Sequence, residues 1–216
     1  MNRRVYMDYN ATTPIHPEVQ KELISSMELF GNPSSMHGFG REAHAKIDLA
    51  RKRCAALIGA DQEEIIFTAG GSESNNTVLK LLGCGESCCC GYFGGRNEII
   101  TSAIEHPSIL ETARALRARG VAVHEIGVDS TGKLDMEDFA AKLGEKTALV
   151  SIMYANNEIG TIQDIEKITR MAHEKGALMH TDAVQAVGKV RFNVHDIGVD
   201  FLSFSGHKLY APKGVG

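Results

Sequence analysis

The residues best suited to chemistry are Ser205, Gly206, His207 and Lys208, which directly follow an apolar stretch at 199–204 of strand type. A lysine at the end of a buried strand loses its proton more readily than a solvated lysine, and an unprotonated amine can form a Schiff base with an aldehyde. Ser205 and His207 could donate hydrogen bonds to an anion such as a phosphate. The alternative is a strand that ends in a polar turn with a solvated lysine, and these four residues alone do not decide between the two.

A second candidate for anion binding follows the predicted strand at 64–68. Gly70, Gly71 and Ser72 open a predicted helix there. Glycines allow a ligand to approach the backbone closely, and the free N–H groups at a helix start favour an anion. Many turns between a strand and a helix are rich in Gly and Ser, so this motif is weak on its own.

Two further predicted strands end in polar side chains. His106 follows the strand at 98–102, and its imidazole could stack on a planar ligand, move protons, or only cap the next helix. Asn156 and Asn157 follow the strand at 147–154. Their amides could bind a phenolate or a carboxylate, or form an Asx-type turn.

Asp182 comes after the predicted buried strand at 177–181, and Gln185 lies three residues further on. A carboxylate in that position needs a cationic partner, because its desolvation is costly, and a protonated pyridine nitrogen would serve. Gln185 could then reach a neighbouring ring substituent. An amine, an acid for a ring nitrogen, an amide for a ring oxygen, a flat imidazole and a phosphate cradle are together the set that pyridoxal phosphate requires.

The elements that must position these residues alternate along the chain. Short apolar segments alternate with segments of helical periodicity, which predicts the α/β class with a mainly parallel sheet and helices on both faces. Ligands of such sheets bind at the carboxyl ends of the strands, where all the candidates lie. The predicted strands are 64–68, 98–102, 121–126, 147–154, 177–181 and 199–204, and the predicted helices are 17–30, 39–58, 73–82, 107–119, 135–143 and 163–175.

Composition favours a globular protein of 216 residues, with 43% hydrophobic and 23% charged residues. A net charge of −4 gives no reason to expect nucleic acid or an anionic membrane as a partner. No apolar run approaches the roughly 20 residues of a membrane span, and the N-terminus lacks a signal-peptide core, so a cytoplasmic location is expected.

The five cysteines have neither disulfide-framework nor zinc-ligand spacing, so no metal site is predicted. Cys54 lies on the apolar stripe of the helix at 39–58 and is expected to be a buried core thiol. Cys84 and Cys88–Cys90 lie in a glycine-rich stretch, 84–95, that is predicted to be a flexible surface loop.

Taken together, the motifs resemble those of the cysteine desulfurases of the NifS/IscS type, within the class V aminotransferase-like, fold-type I pyridoxal phosphate enzymes. The resemblance implies a sheet of seven-stranded type. It also implies that residues 1–14 belong to a small domain whose C-terminal part is absent, and that 15–216 are the cofactor-binding large domain, truncated at its C-terminal end. The matching stretches are 7–14 (MDYNATTP), 31–35 (GNPSS), 67–75 (FTAGGSESN), 105–106 (EH), 156–160 (NNEIG), 182–185 (DAVQ) and 205–208 (SGHK).

The resemblance also implies a role for each site residue. Lys208 forms the Schiff base with the cofactor and later moves the substrate's α-proton, and His106 stacks on the ring and acts in acid–base steps. The cofactor contacts implied are Asp182 to the ring nitrogen, Gln185 to the ring hydroxyl, Asn157 near that oxygen and the substrate carboxylate, and Gly71, Ser72, Ser205 and His207 to the phosphate.

The resemblance also implies conversion of L-cysteine to L-alanine in a homodimer. The sulfur passes as a persulfide on an enzyme cysteine to an iron–sulfur scaffold protein or another sulfur acceptor. The family's persulfide cysteine and substrate-carboxylate arginine lie beyond the position of residue 216, and none of the five cysteines here matches that nucleophile. We therefore expect that the chain does not complete sulfur transfer alone. The alternatives are another class V enzyme, such as a selenocysteine lyase, and a non-catalytic scaffold or one half of a split enzyme.

Overall fold

The computed structural model describes residues 4–84 and 95–216. Its sheet has five strands in the order β2-β1-β3-β4-β5, and every neighbouring pair is parallel. The predicted α/β class with a parallel sheet is confirmed. The strands are β1 (Glu98–Ser102), β2 (Ala122–Ile126), β3 (Thr147–Ser151), β4 (Leu178–Asp182) and β5 (Phe201–Ser203).

The first six helices follow the predicted segments, whereas the short helix α7 (Val194–Ile197) was not predicted. Two of the helix ends show the expected signals. Pro17 occupies the first turn of α1, and Gly59, with φ of +75°, ends α2. The largest difference is at α1, which was predicted to run to about residue 30 but ends at Ser26. The helices are α1 (Pro17–Ser26), α2 (Gly38–Ile58), α3 (Gly71–Lys80), α4 (Pro107–Arg117), α5 (Met136–Lys142), α6 (Ile165–Glu174) and α7 (Val194–Ile197). Short 3₁₀ turns cover Gln62–Glu64, Leu81–Cys84 and Gly206–Lys208.

Both faces of the sheet are covered, as the near-continuous apolar strands require. Successive strand residues point to opposite faces, so Ile99 and Ile100 belong to separate core clusters. The first cluster includes Ile99, Leu149, Leu79 of α3, and Ile109 and Leu116 of α4, whereas the second includes Ile100, Val150, Met179, Phe139 of α5 and Ile168 of α6.

The predicted strand at 64–68 was wrong. Glu64 ends a 3₁₀ turn, and Thr68 exchanges backbone hydrogen bonds with Gly216 at 2.8 and 2.9 Å, while the side chain of Ile66 is 79% exposed. A strand needs a ladder of partners along its length, and one pair does not provide it. The described residues therefore form five strands, fewer than the seven-stranded type implied by the resemblance.

The structure describes one of the two predicted cysteine environments. Cys54 is a free thiol that is half-buried against the core, and burial raises its pKa. Cys88–Cys90, like most of the predicted loop at 84–95, lie outside the described residues. In the parts of the chain that the structure describes, no helix is long and apolar enough to cross a membrane.

Candidate active site

The nine residues predicted to form the site all line one cleft of about 890 Å³. Strands β4 and β5 bring their carboxyl ends to this edge of the sheet, and the starts of α3 and α4 border it, as expected for a parallel sheet. The predicted residues along its wall are Gly71, Ser72, His106, Asn157, Asp182, Gln185, Ser205, His207 and Lys208.

Lys208 is held by the N-terminal segment. It closes the 3₁₀ turn after β5 and is half-buried, and its Nζ donates to the carbonyl oxygens of Asn10 and, at 2.7 Å, of Ala11. Burial lowers the pKa of Lys208, and the Lys189 ammonium lowers it further, while Asp8 and Asp182 act in the opposite direction. A lowered pKa enlarges the fraction of neutral amine at a given pH.

Asp182 is the last residue of β4 and is only 5% exposed. Its two oxygens accept from the Val184 backbone N–H at 3.0 Å and from Asn75 Nδ2 at 2.7 Å. Burial raises the pKa of Asp182; these two hydrogen bonds and the electrostatic effects of His106 and Lys208 oppose the rise. Its hydrogen-bond donors are neutral, so a cationic N–H in the cleft would supply the charge that this buried carboxylate needs.

Asn75 is a site residue to which sequence analysis assigned no role. Its amide nitrogen bridges Asp182 and the Ser108 hydroxyl, at 2.7 and 2.9 Å. The signal was its spacing, because Asn75 lies four residues after Gly71 and therefore on the same face of α3.

His106 is both a helix cap and part of the cleft wall. It is the N-cap of α4, and its Nδ1 accepts from the Ser108 backbone N–H at 3.1 Å. The capping alternative is thus what the local structure shows, although the ring is exposed and lines the cleft.

Glu105 directly precedes this cap and is held by hydrogen bonds. It is buried, and its Oε1 accepts from Ser102 Oγ at 2.5 Å and from the Met153 backbone N–H at 2.8 Å, which joins the ends of β1 and β3. Burial raises the pKa of Glu105 to about 8, despite these two hydrogen bonds. Sequence analysis named Glu105 only as part of a motif; its signal was an acidic residue just after an apolar strand.

The anion-binding end of the cleft combines a helix start with the turn after β5. Gly70 is the N-cap of α3 with φ of +156°, and a Cβ at Gly71 would lie 3.0 Å from a Val184 methyl group, so both positions favour glycine. Ser205 is buried beside them. His207 Nδ1 lies 3.0 Å from Thr12 Oγ1, and burial, with the charges of Lys208 and Lys213, lowers its pKa.

The two adjacent asparagines separate in role. Asn156 Oδ1 accepts from the backbone N–H groups of Glu158 and Ile159 at 2.8 and 3.0 Å, which is the Asx-type turn weighed above. Asn157 lines the cleft, and its carbonyl oxygen accepts from Asn10 Nδ2 at 2.9 Å. Gln185 Nε2 also bonds to the N-terminal segment, donating to Asn10 O at 2.8 Å.

Comparison with known proteins identifies the family of this chain. The pattern of the aminotransferase class-V family matches residues 5–216. The chain belongs to the aminotransferase class-V family. It is 49% identical over 216 residues to a cysteine desulfurase of Gluconacetobacter diazotrophicus, a match covering 98% of this chain and 52% of that protein.

Solved structures agree with this assignment. A NifS-like protein superposes with a TM-score of 0.92 at 43% identity, covering 99% of this chain and 58% of that one. A structure described as SspA in complex with cysteine gives a TM-score of 0.88 at 36% identity, covering 98% and 59%. The chain spans about half the length of the curated relatives it matches. The α/β fold of NifS-like enzymes is therefore confirmed over this chain.

Enzymes of this family depend on pyridoxal phosphate, and the residues present fit that cofactor. The buried Asp182 carboxylate with neutral donors suits a protonated ring nitrogen, and the start of α3 suits a phosphate. Lys208 offers an amine of lowered pKa at the same cleft.

Proposed function

We propose that this chain carries the pyridoxal phosphate-binding part of a cysteine desulfurase. The reaction is L-cysteine plus an acceptor thiol giving L-alanine plus the acceptor persulfide, so the substrate's C–S bond breaks and a sulfur–sulfur bond forms. The observation that carries the proposal is that one cleft collects a lysine of lowered pKa, a buried aspartate and a glycine-rich helix start.

The chemistry supplied by bound pyridoxal phosphate is an aldehyde that condenses with amines and a ring that withdraws electrons from the substrate's α-carbon. Lys208 would bind this aldehyde through Nζ and afterwards move a proton at the same atom. Its half-buried position and the nearby Lys189 charge favour the neutral amine that both tasks need.

Asp182 would keep a proton on the ring nitrogen. The carboxylate cannot swing away, because Asn75 and the Val184 N–H hold both of its oxygens. His106 would lie against the cofactor ring and exchange protons with the substrate. Its capping bond with Ser108 holds the imidazole at the N-terminus of α4.

The remaining predicted residues would orient the cofactor and substrate. Gly71 and Ser72 at the start of α3, with Ser205 and His207, would hold the phosphate through N–H and hydroxyl donors. Gln185 would bind the ring hydroxyl, and Asn157 would lie near that oxygen and the substrate carboxylate. A homodimer, a cytoplasmic location and delivery of sulfur to an iron–sulfur scaffold or other acceptor are part of the same proposal, drawn from the resemblance.

The test is attachment of pyridoxal phosphate to Lys208. The 216-residue chain is mixed with the cofactor, its visible absorbance is recorded, and the mixture is reduced with borohydride before peptide mass spectrometry. We expect a bound-cofactor band and a modified Lys208, both lost in Lys208→Ala. Lys213→Ala is the matched control, because Lys213 lines the same cleft and should not carry the label.

Adding L-cysteine and dithiothreitol to the loaded chain then tests the reaction by measuring alanine and sulfide. Alanine formed by the parent chain and not by Lys208→Ala supports desulfuration within these residues. Attachment without alanine would limit residues 1–216 to cofactor binding. A folded chain that does not modify Lys208 would overturn the proposal and favour a non-catalytic scaffold.

A further inference from the structure

Gln185 carries an amide whose direction in the cleft determines what the cleft can bind. An amide presents a donor from its nitrogen side and an acceptor from its oxygen side, and the two ends have nearly the same shape. Lys189, four residues further along the chain, settles the direction: its Nζ lies 2.6 Å from Gln185 Oε1. An ammonium can only donate, so the amide oxygen must face Lys189.

The opposite end of the same amide confirms this direction. Gln185 Nε2 donates to the carbonyl oxygen of Asn10 at 2.8 Å, and Lys208 Nζ donates to the same oxygen. Lys189, Gln185, Asn10 and Lys208 therefore form one hydrogen-bonded chain, which runs from the exposed surface to the candidate reactive amine.

We propose that Lys189 is a positioning residue that holds the Gln185 amide with its N–H groups toward the cleft. The cleft then offers a donor, and not an acceptor, to the anionic ring oxygen of pyridoxal phosphate. This inference deepens the proposed function and rests on it. The occupant it selects is a ring with an ionised hydroxyl, because an amide oxygen in the same place would repel that charge.

Lys189 has a second path to the site, which the test must separate from the first. Its charge acts directly on Lys208, where Asp8 and Asp182 oppose it. A change that travels through Gln185 disappears when Gln185 has no amide, whereas a direct charge effect remains.

The experiment is a double-mutant cycle of Lys189→Met and Gln185→Met, with Lys189→Arg as the variant that keeps a cationic donor. The dissociation constant of pyridoxal phosphate and the pH midpoint of its bound absorbance band are measured for each. We expect Lys189→Met to weaken binding about tenfold, the scale of one hydrogen bond to a charged acceptor, and to raise the pH midpoint. Lys189→Arg should restore both, and Lys189→Met should have little further effect in the Gln185→Met background.

A measurement without cofactor tests the orientation of the Gln185 amide independently of cofactor binding. In the ¹⁵N spectrum of the free chain, the Gln185 side-chain amide should show one slowly exchanging proton, the one donated to Asn10 O, and Lys189→Met should accelerate its exchange because the amide loses the contact that fixes its oxygen. Additive effects in the cycle, or an unchanged amide signal, would overturn the inference while leaving the proposed function intact. Failure of the parent chain to bind the cofactor would instead overturn the proposed function, and the amide signal would still report the orientation.

Discussion

Replacing Glu105 with Gln should change how the stability of this protein depends on pH. The side chain is buried, its Oε1 accepts two hydrogen bonds, and its Oε2 is a buried oxygen for which the described residues supply no partner. Glutamine keeps the accepting oxygen for Ser102 and Met153 and removes the ionisation. The substitution is therefore nearly isosteric and isolates the charge.

The magnitude follows from the pKa of Glu105, which burial raises from 4.5 to about 8. Between these values the folded state binds more protons than the unfolded state, so the free energy of unfolding falls as pH rises. Each pH unit in this window costs about 1.4 kcal/mol. From pH 5 to pH 7 the parent protein should lose about 3 kcal/mol relative to Glu105→Gln.

The assay is urea unfolding at pH 5, 6 and 7, comparing the parent protein, Glu105→Gln and Glu166→Gln. Glu166 is an exposed residue of α6, paired with Arg170 on the surface, and serves as the control for losing one carboxylate. Asp182 is coupled to Glu105, because its charge helps to raise the pKa of Glu105, so its titration can also change in Glu105→Gln. Buried groups with no coupling to Glu105 cancel in the differences. Parallel pH profiles for the parent and Glu105→Gln would refute the reasoning, because they would mean that the buried carboxyl does not titrate in this range.

Two further predictions concern the scaffold. Gly59→Ala should lower the free energy of unfolding by more than the roughly 1–2 kcal/mol that a left-handed non-glycine residue costs, because φ is +75° and the new Cβ would also lie 2.4 Å from the Asn193 amide nitrogen. Gly120→Ala is the matched control, since Gly120 has φ of +93° but open space around it. Urea unfolding that gives equal losses for the two variants would contradict the clash at Gly59. The imidazole of His180 is buried between the hydroxyls of Ser151 and Ser203, and burial lowers its pKa to about 3. The NMR signals of His180 should therefore not titrate between pH 8 and 4.5. A titration midpoint near pH 6.5 would disprove this burial effect.

The sequence rule that ligands bind at the carboxyl ends of parallel strands predicted that the candidate residues would share one edge of the sheet. Asp182 and Lys208 were assigned to the ends of two successive predicted strands, and both line the cleft. This worked because alternating strands and helices leave few possible topologies, so local patterns determine which residues share an edge.

Contacts across the cleft could not be predicted from the sequence in the same way. Asn75 and Asp182 lie 107 positions apart, and Lys208 and Asn10 lie 198 apart. No periodicity relates such pairs; their approach depends on how α3 and the N-terminal segment pack. The erroneous strand at 64–68 has a similar cause, because apolar composition predicts an extended backbone but pairing depends on a distant partner.

If Lys208 has the proposed role, the N-terminal segment also sets the direction in which it would react. A neutral amine has two hydrogens and one lone pair, and the carbonyl oxygens of Asn10 and Ala11 are two acceptors that together engage both hydrogens. The tetrahedral geometry of nitrogen then leaves the lone pair in the remaining direction, away from the two carbonyls. A pair of main-chain oxygens, with no charge and no titration of their own, would thus leave the proposed nucleophile a single attacking side.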